Sequence, residues 1–367
     1  VPQILALRNR LCNIGPESRP RIAGREVAMP STRPATLQDV ADLSGVSRGT
    51  ASRALTGGGR VSAATRSRVR EAAAELRYST NSGARNLRRA RAGSIGLWLP
   101  DGMNFMEYYM NFAVGVVEST KDRETTVTLI PADFPAAKAG SLHVDGFVMA
   151  DVVGGDPLAR AILETGRPVV ASELVPDGMP EPVATVAADH TTAMRGLLDR
   201  LSRGGARSFA VVRPEVDQTW VRAAARAAEE WAAERGAALT FVDLVDAPSA
   251  DELHRLLQPP LSRHPSVDAI VCLPEGLGVG ILSTLRELGH SVPDDIQLVS
   301  YVDSPTLPIV QPPISALDLR AREAGARAGE VLMTLIEDRA DPPPAIEWFD
   351  LIYRERASTR AADGEAR

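Results

Sequence analysis

Apolar positions change period once along the chain, near residue 94, and the two regimes predict different architectures. Before that point they recur at helical spacing. Leu37, Val40, Ala41 and Leu43 share a face behind Thr36, which with Asp39 three residues on makes a capping-box pattern. Gly45 follows where that helix must stop, Val46 offers an apolar plug, and Ser47 is suited to cap a second helix through Thr50, Ala51, Ala54 and Leu55. Ser62 opens a third, with Val69, Ala73 and Leu76 at helical spacing. Ala41 and Ala51 are small, as a steep crossing of two helices requires. The pattern predicts an all-α helix-turn-helix domain over 35–78.

From Ser94 onward short apolar runs alternate with helical ones. "SIGLWLP", "TVTLIPA", "DGFVMA" and "PVVAS" read as buried parallel strands, and "FAVVRP", "LTFVDL", "AIVCLP" and "IQLVSYVD" as a second series. Helices such as "HTTAMRGLLDRLSRGG" and "TWVRAAARAAEEWAAERG" lie between them. Repeated strand–helix–strand units predict an α/β bilobal domain over 93–356, with two parallel-sheet, Rossmann-like lobes and a ligand cleft at the carboxyl ends of the strands. Lobe one is expected over about 93–187 and 318–345, lobe two over about 188–317 and 346–356. The segment from Asp133 to His143 is short for a crossover helix, so one lobe wall is expected to be trimmed. Residues 79–92 form a hinge linker, and 357–367 a flexible tail. Residues 1–34, rich in Arg, Pro and Gly without apolar period, are expected to be disordered, with Met29 a plausible natural start.

Charge sharpens this division. The 367-residue chain carries a net charge of −6. Between Arg33 and Arg91, however, 12 arginines face Asp39, Asp42, Glu71 and Glu75, a local balance of +8 that leaves −14 for the rest. A basic module on an acidic body points to nucleic acid. Cys12 and Cys272 lie far apart and read as free thiols in a reducing compartment. No Cys/His cluster has metal-ligand spacing, no cofactor is implied, and neither a membrane span nor a signal peptide is found. A cytoplasmic, nucleoid-associated protein is expected. His143, His190, His254, His264 and His290 are scattered without a partnered nucleophile, and "GGDP" and "EGLGVG" lack the context of phosphate loops, so no catalytic site is read.

"TLQDVADLSGVSRGTASRAL", "VSAATRSRVREAAAELRY" and "NSGARNL", in this order and spacing, resemble the lactose/galactose-repressor family of bacterial transcription regulators. The resemblance continues more weakly to about Asp350. It implies base contacts by Arg48, Gly49 and Arg53. A guanidinium at Arg48 or Arg53 can reach guanine O6 and N7 together, whereas Gly49 replaces the family's usual side-chain reader. Ser47, Thr50 and Ser52 are short donors fit for phosphates. The resemblance also implies a short hinge helix from Asn81 through Ala84, Arg85 and Leu87, ordered on DNA, with Leu87 wedged between base pairs. Arg85, Arg88, Arg89 and Arg91 would add counterion-release affinity.

For the body, the same resemblance implies a periplasmic-binding-protein-like effector domain. Tyr108 and Tyr109 match an aromatic pair that either stacks on a ligand or packs the lobe, and Arg222 matches an arginine that holds ligand hydroxyls or carboxylates. Glu275 and Asp303 complete the candidate effector residues, but Pro274 and Val302 stand where the family has Asn and Asp. Neither offers a side-chain polar group, and an unpaired buried hydroxyl costs about 1–3 kcal/mol, so the sequence leans away from a sugar pocket. The expected function is a homodimeric, sequence-specific repressor of near-palindromic double-stranded DNA, modulated by a small-molecule effector. The alternative is a regulator with no such effector, controlled by a protein partner or by abundance.

Overall fold

The computed structural model describes residues 35–57, 59–78, 91–100, 106–245, 247–263, 266–337 and 344–361, and the chain divides into two compact units after Asn81. The N-terminal extension 1–34, the hinge positions Asn81, Ala84, Arg85, Leu87, Arg88 and Arg89, and residues 362–367 lie outside the described residues.

Three side-chain caps set the first unit. The Thr36 hydroxyl accepts from the Asp39 amide at 3.3 Å while the Asp39 carboxylate accepts from the Thr36 amide at 2.7 Å, opening α1 (Leu37–Ser44). Ser47 and Ser62 cap α2 (Arg48–Thr56) and α3 (Ala63–Glu75), each accepting from an amide three residues on at 3.2 Å. Gly45 ends α1 at φ 68°, a left-handed conformation that glycine adopts without Cβ strain. The core is Val40, Ala41, Ala51, Ala54, Val69, Ala72 and Ala73, with Leu37, Val46, Leu55 and Leu76 packed around it. Leu43 departs from expectation. The buried arc of α1 is Val40, Ala41 and Ser44, so Leu43 falls outside it and is 48% exposed.

The second unit holds two six-stranded sheets. Sheet one contains β1 (Ser94–Trp98), β2 (Thr126–Ile130), β3 (Phe147–Ala150), β4 (Val169–Ser172), β5 (Ala184–Ala188) and β11 (Ile346–Phe349). They run in the order β11-β5-β4-β3-β1-β2, all parallel. Sheet two contains β6 (Ser208–Pro214), β7 (Ala238–Leu244), β8 (Ala269–Cys272), β9 (Gln297–Ser300), β10 (Ser315–Asp318) and β12 (Ile352–Arg354). Its order is β12-β10-β9-β8-β6-β7, parallel except where β12 meets β10. The burial pattern explains the parallel pairing: β1, β3, β4, β5, β8 and β9 are buried at every position, as strands covered on both faces must be.

The covering helices are α4 (Met106–Thr120), α5 (Pro157–Leu163), α6 (His190–Arg203), α7 (Thr219–Arg235), α8 (Ala250–Ser262), α9 (Leu277–Glu287) and α10 (Ala321–Ile336). In place of a crossover α-helix after β2 stands a 3₁₀ segment, Ala136–Ser141, matching the short crossover read from the sequence. In lobe one α4 and α10 touch backbone to backbone: a Cβ at Gly325 would run into the Phe112 carbonyl, and one at Gly115 into that of Arg322.

Three sequence expectations need correcting. The chain crosses between lobes after β5, after β10 and again after β11, so 346–349 belongs to lobe one, where Ile346 to Phe349 pair with Thr185 to Ala188. The expected boundary at 345 was drawn before that strand. Residues 357–361 are not a free tail either. Ser358 is fully buried, its hydroxyl donating to the Leu298 carbonyl at 2.6 Å and accepting from the Ser315 amide at 2.8 Å. The Arg360 amide donates to Gln297 Oε1 at 3.0 Å. These polar residues satisfy the ends of β9 and β10, a role that leaves no apolar period to read. Arg91, expected to serve DNA, donates from its guanidinium to the Ile336 carbonyl at the end of α10, while Asp145 accepts from the Ala92 and Gly93 amides at 2.7 and 2.8 Å.

Candidate functional site

Two surfaces carry the candidate chemistry, one on each unit. On α2, Ala51 and Ala54 face the core, which leaves Arg48, Gly49 and Arg53 exposed and Thr50 and Ser52 half-buried. No acid stands in the first turn, so the positive end of the helix dipole and Arg48 reinforce each other. The Ser47 hydroxyl is engaged in its cap and lies 2.9 Å from the Thr50 hydroxyl. The Arg53 Nε donates to the Gly49 carbonyl at 3.2 Å, which folds this guanidinium along its own helix. A Cβ at Gly49 would meet nothing nearer than 4.0 Å, so no packing within the unit demands glycine there. Arg68 and Arg70 project from α3, while Arg66 is half-buried with its Nε unpartnered.

In the second unit the carboxyl ends of both sheets close on a cavity of about 300 Å³. This is the switch point of each strand order, where β1 and β3, or β6 and β8, lead away in opposite directions. Lobe one contributes Tyr108 and Tyr109 from the start of α4, Asp151 after β3 and Glu173 after β4. Lobe two contributes His190, Gln218, Trp220, Pro274, Glu275 and Val302. Asp151 and Glu173 both hold positive φ, 44° and 72°, a left-handed backbone that side-chain-bearing residues adopt at a cost of about 1 kcal/mol or more.

The polar groups form a connected set. The Tyr109 hydroxyl donates to Asp151 Oδ2 at 2.8 Å, and Gln218 Nε2 to the Asp151 carbonyl at 3.1 Å. The Ala188 amide donates to Glu173 Oε1 at 3.3 Å. His190 Nδ1 lies 3.1 Å from the Tyr301 hydroxyl, while its Nε2 comes within 3.2 Å of Glu173 Oε2 without hydrogen-bond alignment. Across the lobes, the Tyr108 amide donates to Glu275 Oε2 at 3.2 Å. Burial, then the neighbouring Glu173 charge, pushes the Asp151 carboxyl up to about 7, against the opposing Tyr109 bond and His190. Burial likewise raises Glu275 to about 7, opposed by the Tyr108 amide and aided by Glu107. Desolvation first and Asp151 second raise both tyrosine phenols.

Of the effector residues expected from the sequence, Tyr108, Tyr109 and Glu275 line the cavity, as do Pro274 and Val302. Arg222 and Asp303 do not. Arg222, about half-exposed on α7, is paired with Asp217 at 2.8 Å and lies within 3.8 Å of Asp177 of lobe one. Asp303 is held by the Arg356 guanidinium at 2.7 and 2.8 Å. Asp151, Glu173, Gln218 and Trp220 line the cavity without a sequence expectation, and His190, expected at a lobe surface, is buried in its wall. For the two acids the signal was present, since each directly follows a run read as a buried parallel strand. Among the described residues, no group of three His, Cys, Asp or Glu could hold a metal, and no helix is long and apolar enough to cross a membrane.

A capped helix-turn-helix unit followed by two parallel-sheet lobes around a cleft defines the class of two-domain bacterial transcription regulators. Residues 36–81 match the lacI family of bacterial regulatory proteins and residues 198–359 match the periplasmic binding protein-like domain, so the chain carries a lacI-family helix-turn-helix domain and a periplasmic-binding-protein-like domain. It is 29% identical over 333 residues to the HTH-type transcriptional regulator CelR of Thermobifida fusca, covering 86% of this chain and 96% of that one. It is 28% identical over 347 residues to AglR of Rhizobium meliloti, covering 91% and 95%. Among solved structures it shares the fold of a lac repressor dimer bound to operator and the anti-inducer ONPF, with a TM-score of 0.75 at 20% identity over 90% of this chain and 100% of that one. A CelR–cellobiose complex superposes with a TM-score of 0.65 at 24% identity, covering 88% and 99%.

Proposed function

We propose that this protein is a cytoplasmic, homodimeric repressor that binds a near-palindromic DNA operator and is modulated by a small molecule held between its lobes. The carrying observation is the pairing, in one chain, of an outward arginine face on α2 with a cavity built from both lobes. In this reading Arg48 and Arg53 read guanines in the major groove, and Ser47, Thr50 and Ser52 position the helix on phosphates. The hinge from Asn81 through Ala84, Arg85 and Leu87 orders on the operator. Dimerisation has support in lobe one: Met110, Val114 and Val117 expose an apolar stripe along α4, with Leu129 also exposed on β2. A ligand changes operator affinity only by binding one conformation better than another, and a cavity walled by two separate lobes offers such a difference.

The test is selection of bound duplexes from a random pool, followed by titration of the enriched site. The parent is expected to prefer a palindrome over random duplex. Arg48→Ala with Arg53→Ala should cut that preference about 30-fold or more, since each bidentate guanine contact contributes about 1–3 kcal/mol of discrimination. An unchanged preference overturns the assignment of α2. Pro274 and Val302 at the cavity wall favour a second reading, a regulator with no small-molecule effector. A metabolite that raises the melting temperature dose-dependently rejects that alternative.

A further inference from the structure

The cleft has two chemically different ends, one polar and drawn from both lobes, the other apolar and drawn from lobe two. The lobe-one side gathers Asp151 and Glu173 beneath Tyr108 and Tyr109, with Glu275 reaching across to the Tyr108 amide. Besides the polar Glu275, His190 and Gln218, lobe two supplies the apolar end, with Leu244, Pro248, Pro274 and Leu277. No lysine or arginine is among the described residues lining the cavity. The arginines nearest to it in sequence are committed elsewhere: Arg213 to Asp243 at 2.6 Å, Arg222 to Asp217, and Arg356 to Asp303. Arg320, beside Leu319, reaches Glu323 and the Asp350 carbonyl. Three largely buried carboxyls thus line one cavity with no lysine or arginine and with His190, 3.2 Å from Glu173, as the one basic side chain among the described lining residues; a buried carboxylate gains from each further counter-charge that meets it.

A second feature points the same way. The Tyr301 hydroxyl lies 3.1 Å from His190 Nδ1 and donates to the His190 carbonyl at 3.4 Å, which places the imidazole edge at the acidic end of the cavity. Nε2 of His190, a residue only 5% exposed, has no hydrogen-bond partner and lies 3.2 Å from Glu173 Oε2. The polar end therefore offers acceptors and aromatic faces, which an ammonium group satisfies together. A sugar carries hydroxyls on every side and would set several against a wall of Leu, Pro and Val with no side-chain partner.

Resting on the reading of this cleft as a ligand site, we propose that it takes an amphipathic organic cation, its ammonium among Asp151, Glu173 and Glu275 and its apolar body against the lobe-two wall. The experiment is calorimetric titration of the full chain with n-butylamine, 2-phenylethylamine and tyramine, each against the matching alcohol, and with phenylacetate and cellobiose. At least one amine is expected to bind about tenfold or more tighter than its alcohol, the scale of one charge-assisted hydrogen bond, and phenylacetate not to bind. Glu173→Gln and Glu275→Gln, on opposite lobes so that one misfolded variant leaves the other, should each cut the amine-to-alcohol ratio severalfold. Amines no tighter than alcohols, cellobiose tighter than every amine, or no binding across the series overturns the proposal. Operator titration with the same protein separates the two readings. Tight cellobiose binding that shifts operator affinity keeps the repressor and removes the cation. Amine binding that leaves operator affinity unchanged keeps the cation and removes the regulation.

Discussion

Gly49 and Asp151 show how a single residue can be set against its local preference. Gly49 sits in the first turn of α2 with open space where a side chain would be, so alanine fits without displacement. Gly49→Ala should raise the stability of the first unit by about 1 kcal/mol through helix propensity, read as a higher melting temperature. If the backbone there approaches a base, the same change lowers operator affinity, and the two effects move in opposite directions. Asp151 carries a titration consequence. Its carboxyl is raised from 3.8 to about 7, so between those values the folded state keeps a proton that the unfolded state releases. Its contribution is therefore fully present below about pH 4, is lost as pH rises through 7, and stays lost above. Asp151→Asn, which retains an acceptor for the Tyr109 hydroxyl, removes this penalty. Its melting temperature relative to parent should be more favourable at pH 8 than at pH 5, by on the order of 2 kcal/mol in stability at about 1.4 kcal/mol per pKa unit. An equal difference at both pH values rejects the raised pKa.

At the scale of elements, what the sequence revealed is what neighbours in sequence decide. The caps at Thr36, Ser47 and Ser62 reach only three residues, and each forms as its local pattern suggests. The all-buried strands other than the alanine-rich β5 were equally legible, because burial on both faces leaves an unbroken apolar run. β5, β10, β11 and β12 were passed over. β11 and β12 are half-exposed and owe their structure to partners more than 30 residues away in sequence, Thr185 to Ala188 and Ala316 to Asp318. The site followed the same division. Tyr108, Tyr109 and Glu275 were found by resemblance, whereas Arg222 and Asp303 lie off the cavity, each held by oppositely charged partners, Asp217 and Asp177 for one and Arg356 for the other, that come together only in the fold. The α4–α10 contact gives a matched pair of tests. Gly325→Ala must push α10 from the Phe112 carbonyl and should cost about 1–3 kcal/mol as overpacking does. Gly196→Ala, in α6 with nothing within 4 Å of a new Cβ, should stabilise by about 0.5–1 kcal/mol. Denaturant midpoints of the two variants should therefore shift in opposite directions.

For the whole molecule, the charge division and the exposed stripe on lobe one make one joint demand. A body over residues 92–367 carrying −17 is not drawn to DNA, so affinity must come from the +8 module, and a single module with a few arginine contacts binds weakly at physiological salt. Two modules held in one particle convert the second contact into an intramolecular step, which raises affinity by orders of magnitude without new contacts. In the proposed dimer the stripe of Met110, Val114 and Val117 is where that gain originates, since water-facing apolar side chains at helical spacing are stabilised when a second copy covers them. Val117→Lys places a charge in the middle of that seam while leaving α2 untouched. Sedimentation should show the dimer giving way to monomer, and affinity for a full palindrome should fall about 100-fold or more toward that for a half-site. Half-site affinity itself should not change. Should the variant remain dimeric with full operator affinity, the seam lies elsewhere on the effector lobes, and the stripe requires another explanation.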